Sequence, residues 1–214
     1  MVKAIIFDLQ GTLVENGVFP SPVKQVRFIL GIRQSFHDYV PIFEKIFMTK
    51  SYDSLSDAFN AVCAHYRLDV PDFVIEKLIG IWNKNKLLSQ IYPETVDILT
   101  DLRKDHKLIL VANIDCFTRE VIDKFKLREY FDEVFLSYDS GLLKTDKGFY
   151  EMILDKISLT KDDVLMVGDS VESDMKSAQS AGIRSVLIDR NNRMIYDQKI
   201  LGISGLIDYL KTIE

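Results

Sequence analysis

The stretch Val2-Lys3-Ala4-Ile5-Ile6-Phe7-Asp8-Leu9-Gln10-Gly11-Thr12 decides how the rest of the chain is read. Its apolar run is short, rich in β-branched and aromatic residues and bounded by glycine, which predicts a buried strand delivering Asp8 to a turn at its carboxyl end. In open parallel sheets, ligands bind along that edge. An isolated Asp after a strand more often serves only to cap the following turn. A carboxylate in a ligand-binding edge, however, is also a competent nucleophile, and residues far downstream favour that second reading.

Val164-Leu165-Met166-Val167-Gly168 repeats the buried-strand pattern and runs directly into Asp169-Ser170, with Asp174 at the start of a helical pattern. Between the two acidic strands, Lys144 stands in Gly141-Leu142-Leu143-Lys144-Thr145-Asp146, just before the helix-like stretch Phe149 to Ile157. From about Lys107 onward strand and helix patterns alternate. Leu108 to Ala112 leads to a helix from Thr118 to Phe125, Glu133 to Ser137 to the helix after Lys144, Val164 to Val167 to Ser173–Ala181, and Arg184 to Ile188 to an amphipathic helix from Ser204 to Leu210. Such alternation predicts an α/β fold, a Rossmann-like parallel sheet with helices on both faces.

Between Pro20 and about Gln90 the pattern is helical only, with Pro22, Pro41 and Pro71 near the starts of successive segments. This stretch reads as an inserted all-α module spanning 16–90, and the α/β core as 1–15 together with 91–214. Tyr92-Pro93-Glu94 marks the return to the core, because proline suits the first turn of the helix that continues through Leu102. An insert after the first strand would sit over the edge where Asp8 lies. Its aromatic and Met residues, Phe28, Phe36, Phe43, Phe47, Met48, Phe59 and Trp82 among them, read as packing of the module itself.

Three carboxylates and one ammonium near strand ends, in this order, resemble the haloacid dehalogenase superfamily over nearly the whole chain. Asp8-Leu9-Gln10-Gly11-Thr12 is similar to the family's Asp-x-Asp-Gly-Thr, with an amide in place of the second acid. Leu108-Ile109-Leu110-Val111 runs into Ala112-Asn113 where the family has Ser or Thr, so the hydroxyl is missing and Asn113 is its candidate substitute. Lys144 matches the third motif, with Thr145 in a proline's place, and Gly168, Asp169 and Asp174 reproduce the fourth, Gly-Asp-x-x-x-x-Asp.

The resemblance implies a hydrolase, most often of phosphate esters, whose insert is a mobile cap that excludes water and selects small metabolites. Three acids gathered at one edge repel, and a divalent cation with oxygen preferences relieves the cost. Mg2+ fits, since it accepts a few carboxylates and keeps room for a phosphate oxygen. By resemblance its ligands are Asp8, the main-chain carbonyl of Gln10, Asp169 and Asp174. Lys144 supplies positive charge to Asp8 and the transferring group, Gly11, Thr12, Asn113 and Lys144 bind the substrate, and Asp8 attacks phosphorus to form an aspartyl-phosphate.

The departures fall on proton transfer. In the family's phosphatases the second acid protonates the leaving alcohol and then activates water, and an amide at Gln10 can orient these groups but cannot exchange a proton. Losing such a group typically costs roughly 10²- to 10⁴-fold. Three readings stay open. They are a Mg2+-dependent phosphatase with an acidic leaving group or another proton donor, a hydrolase of a carbon–halogen or carbon–phosphorus bond, and a degenerate metal- or phosphate-binding protein. The retained Asp169 and Asp174 favour the first over dehalogenation, which needs no metal.

Composition narrows the partners. The net charge of −5, with both signs interspersed, offers no basic stripe for nucleic acid and no polybasic tail for membranes. No apolar run approaches membrane-spanning length and no signal-peptide pattern is present, so a cytoplasmic setting is expected. Cys63 and Cys116 lack metal or redox spacing. His37, His65 and His106 likewise read as surface or packing residues. The expected partner is a small phosphorylated molecule, and the oligomeric state is left open.

Overall fold

The computed structural model describes residues 1–213. Its main sheet has six strands in the order β5-β4-β1-β6-β7-β8, all paired in parallel. They are β1 (Ala4–Phe7), β4 (Lys107–Ala112), β5 (Glu133–Leu136), β6 (Val164–Gly168), β7 (Arg184–Ile188) and β8 (Lys199–Ile200). The chain first builds outward from β1 through β4 to β5, then returns to the other side of β1 for β6, β7 and β8. Strand order therefore reverses at β1, which opens a crevice at its carboxyl end.

The apolar runs alternate as buried strands must. Ile5, Phe7, Leu108, Leu110, Leu165 and Val167 enter one core cluster, and Ala4, Ile6, Ile109, Val111, Val164 and Met166 the other. Helices α5 (Thr95–Leu102), α6 (Arg119–Lys124) and α10 (Leu206–Ile213) cover the first face through residues such as Leu99, Ile122 and Leu206. Helices α8 (Phe149–Ile157) and α9 (Ser177–Ser180) cover the second through Phe149, Ile153 and Ala178. A four-residue helix, α7 (Ser137–Ser140), follows β5 directly. The fold class expected from the sequence is what the structure contains.

Helices α1 (Pro22–Ile29), α2 (Phe36–Phe47), α3 (Leu55–His65) and α4 (Asp72–Leu88) surround a third cluster, in which Phe43, Phe47, Phe59 and Trp82 pack at centroid separations of 4.8 to 5.9 Å. Pro22 occupies the first turn of α1 and Pro71 caps α4, as expected. Pro41 does not start a segment: it lies inside α2, whose start is set by the Ser35 hydroxyl accepting the Asp38 N–H. Phe28 departs from its expected packing role, since it is 86% exposed on α1.

Two short strands that the sequence reading missed, β2 (Val14–Glu15) and β3 (Gln90–Ile91), pair antiparallel and tie together the two chain crossings between core and helical layer. Each is two residues long, too short to show any periodicity. The neighbouring loop is clamped by Arg190, whose guanidinium lies 3.3 Å from the Tyr92 ring centroid, pairs with Glu94 at 2.7 Å and donates to the Thr12 carbonyl at 2.9 Å. Among the described residues no helix is long and apolar enough to cross a membrane.

A buried polar joint links the layer to the core. Trp82 Nε1 donates to Asp115 Oδ2 at 3.0 Å, and the same carboxylate accepts from the Thr118 hydroxyl and from the N–H groups of Phe117 and Thr118. Burial raises the Asp115 carboxyl above its ordinary range against the opposing pull of these donors. Trp82→Phe keeps an aromatic ring, though a smaller one, and removes one donor from a buried carboxylate. We expect it to lower stability by about 1–3 kcal/mol in urea denaturation. A change inside ~0.5 kcal/mol, the usual range for surface substitutions, would show the joint to be energetically idle.

Candidate active site

Asp8 leaves β1 at the switch point, held by its own N–H donating to the Val167 carbonyl of β6 at 2.9 Å. Adjacent strand ends bring Asp169 and Asp174 to the same place, and oxygens of the three carboxylates lie within 4.8 Å of one another. Two glycines make this approach possible. Gly11 has φ +83°, and a β-carbon there would stand 1.9 Å from Asp169 Oδ2; one on Gly168 would stand 2.3 Å from Asp174 Oδ2. Any side chain at either position would displace a carboxylate.

Asp174 sits on a π-helical turn, Val171–Lys176, rather than on the regular helix expected over 173–181, and only Ser177–Ser180 is α-helical. The wider turn carries Asp174 inward, where its Oδ2 accepts the Ser170 N–H at 3.0 Å while the Ser170 hydroxyl caps Ser173. Such turns recur at functional sites.

Lys144 completes the cluster. Its buried ammonium contacts Asp8 Oδ1 at 2.6 Å and Asp174 Oδ1 at 2.5 Å. Burial works against its charge, yet Asp174 and Asp8 more than offset this and hold its pKa well above the ordinary lysine value. One cation does not balance three acids. Burial, with the charges of Asp8 and Asp174, raises Asp169 well above the carboxylate range. Burial chiefly raises Asp174 to about 6, opposed by Lys144 and reinforced by Asp8.

Asp8 Oδ2 is buried and without a hydrogen-bond partner. An orphaned carboxylate oxygen beside two further acids, all hard oxygen donors, suits a divalent cation such as Mg2+. Asp8, Asp169 and Asp174 are the residues able to hold it.

A cavity of about 480 Å³ opens above this cluster, walled below by Asp8, Gln10, Ala112, Asn113, Lys144 and Asp169. Gly11 and Thr12 stand behind this wall rather than in it: Gly11 backs Asp169, and Thr12 is fully buried with its hydroxyl unpartnered. Asn113 lies in the wall with both ends of its amide engaged. Its Oδ1 accepts the Lys144 N–H at 3.0 Å, and its Nδ2 donates to Glu44 Oε2 at 2.8 Å.

The roof is α2. Phe36, His37, Val40, Pro41 and Glu44 line the cavity, while Tyr39, Phe43 and Phe47 face the helical cluster. Both sets follow helical spacing, so one helix serves two faces. His37 has the exposed position expected of it while also lining the cavity, and Phe36, expected in the module's core, lines the cavity and remains 39% exposed. Glu44 was not singled out from the sequence, where an acid beside Phe43 resembles a solvated edge. Burial pushes its carboxyl up to about 7, with Lys144 and Asn113 pulling down and Asp174 and Asp8 pushing up.

A buried acid whose pKa is raised opposes folding at neutral pH, because its charged form is the disfavoured one. Asp169→Asn removes that opposition. In EDTA at pH 7.5 the variant should melt no lower than wild type. Millimolar Mg2+ should raise the melting temperature of wild type by mass action and leave the variant nearly unmoved. Equal shifts in both proteins would place the cation elsewhere.

Comparison with known proteins agrees with this geometry. Residues 2–182 match the model of the haloacid dehalogenase-like hydrolase family. Over 229 aligned positions the chain is 25% identical to the glyceraldehyde 3-phosphate phosphatase of Methanocaldococcus jannaschii, covering 100% of this chain and 99% of that protein. Among solved structures it resembles a family phosphatase from Thermococcus onnurineus, with 25% identity, 98% of each chain covered and a TM-score of 0.64. It shares its fold with a family enzyme from Bacteroides thetaiotaomicron in complex with magnesium and inorganic phosphate, at 18% identity, a TM-score of 0.62 and coverage of 88% and 95%. The matched region takes in β1, the whole helical layer and both acidic strand ends, and the chain belongs to the haloacid dehalogenase-like hydrolases.

Proposed function

We propose that this hydrolase is a Mg2+-dependent phosphatase acting on a small phosphorylated metabolite through an aspartyl-phosphate on Asp8. The observation that carries the reading is the pairing at Asp8: Lys144 holds one carboxylate oxygen at 2.6 Å, and the other is buried without a partner. The carboxylate is thereby oriented, and its charge is compensated on one side only. The phosphatase relative from M. jannaschii and the magnesium and phosphate in the B. thetaiotaomicron neighbour support it.

In this reading Asp8 attacks phosphorus in line and the P–O bond to the leaving group breaks. Lys144 places a compact ammonium beside the reacting carboxylate, where it stabilises negative charge on the phosphoryl oxygens. Magnesium bound by Asp8, Asp169, Asp174 and the Gln10 carbonyl would neutralise the acids and add positive charge facing the phosphate. Ala112 stands where the family carries a hydroxyl, and the neighbouring Asn113 fixes the Lys144 backbone through its amide oxygen. Residues 16–90 act as a cap over a core of 1–15 and 91–214, with α2 as the surface meeting the substrate, and a cavity of about 480 Å³ suits a small metabolite rather than a macromolecule.

Phosphate release from a panel of phosphorylated metabolites, with and without magnesium, tests the proposal. Wild type should turn over at least one member only with metal. Asp8→Asn should abolish turnover while retaining the wild-type melt, and Lys144→Ala should lower kcat roughly 10²- to 10³-fold, the scale for losing a charge-stabilising donor. Metal-dependent ligand binding without turnover would identify a binding protein instead. Release of halide or cleavage of a phosphonate would identify one of the other hydrolytic chemistries.

A further inference from the structure

Position 10 carries an amide where proton exchange is required, so the proton must come from elsewhere in the cavity wall. Resting on the phosphatase reading, we propose that Glu44 is the general acid and base of this enzyme, a carboxyl supplied by the roof helix α2 in place of the acid missing from the loop after β1.

Glu44 lies on the cavity face of α2 with His37, Val40 and Pro41, opposite Asp8, Gln10 and Lys144. Its carboxylate is held there by Asn113, which also binds the Lys144 backbone, so a single amide connects the roof acid to the strand end beside the nucleophile. The ionisable groups around it are Lys144, Asp174 and Asp8 from the core, Asp169 and Glu172 from the loop and turn after β6, and His37 on its own helix. Burial, countered by Lys144 and Asn113 and aided by Asp174 and Asp8, brings the carboxyl to about 7, so both forms are present at neutral pH, the condition for an efficient acid and base. Gln10 complements it. Its buried Oε1 has no partner, and an acceptor so placed can orient a hydroxyl or water without exchanging a proton.

The chemistry balances in two steps. As Asp8 attacks phosphorus, the P–O bond to the substrate alcohol breaks and the leaving oxygen takes the Glu44 proton. Water then attacks the aspartyl-phosphate and gives a proton to the Glu44 carboxylate. The Asp8–phosphorus bond breaks, inorganic phosphate leaves, and both carboxyls return to their starting forms. A supplied proton matters for alkyl phosphates, whose alkoxide is a poor leaving group, and little for nitrophenyl esters.

The test is kcat/KM, which reports the phosphoryl transfer to Asp8, for glycerol 3-phosphate and p-nitrophenyl phosphate at fixed saturating magnesium. Glu44→Gln should lower the alkyl value roughly 10²- to 10⁴-fold and the aryl value less than about tenfold. Adding Gln10→Asp to Glu44→Gln should recover much of the alkyl rate. Wild type alone supplies a variant-free measurement: its alkyl kcat/KM should fall with rising pH as Glu44 loses its proton, because the acid form is the active one, while the aryl value should not. Equal losses on both esters, or an alkyl profile with no such limb, would overturn the role of Glu44 and leave the phosphatase reading intact. Wild type inactive on every phosphate ester would remove both.

Discussion

Three carboxylates share the end of a parallel sheet with one ammonium, and the burial of that uneven set of charges governs the surrounding architecture. Buried ion pairs contribute little net stability, because desolvation consumes most of the Coulombic gain, and a third acid makes the balance worse. The fold must therefore impose what the charges alone would resist. It does so by placing Asp8 and Asp169 at the ends of adjacent strands whose register is locked by β1–β6 pairing, and by reserving Gly11 and Gly168 so that side chains can approach the backbone closely. The apolar clusters on both sheet faces supply the stability against which this local cost is set.

The helical layer turns the strained edge into an enclosed one. Its aromatic cluster gives it a core of its own. The β2–β3 ribbon ties both chain crossings together, and the Trp82–Asp115 bond fixes it to the loop after β4. Enclosure lowers the effective dielectric above the acids, which strengthens every charge interaction below the roof. The raised carboxyls of Asp169, Asp174 and Glu44 share burial as their leading cause.

The sheet and the acidic cluster were legible because their signals are local: buried strands announce themselves by composition and length, Asp8 and Asp169 follow such runs directly, and Asp174 lies a few residues beyond. Asp8, Lys144, Asp169 and Asp174 are indeed brought together. What escaped notice depends on tertiary placement. Two-residue strands have no period to detect, and Phe28 and Phe36 follow the apolar pattern of their neighbours while facing outward or into the cavity. Glu44 occupies a helix position where charge ordinarily means solvent, and only docking of α2 over the sheet edge turns that face inward. The π-helical turn at Asp174 likewise needs the buried anchor that bends it.

The two faces of α2 separate what a mutation can alter. Tyr39, Phe43 and Phe47 belong to the aromatic cluster, whereas His37, Pro41 and Glu44 touch the cavity and lie outside that packing, with Val40 shared between the two. Most pairs of substitutions drawn one from each face would thus add in their effects on folding, with substrate preference confined to the second set. Lineages could exchange the roof residues other than Glu44 one by one while the scaffold beneath drifted independently. A family built this way would diversify its ligands along a single helical stripe, at little risk to the charge cluster below it.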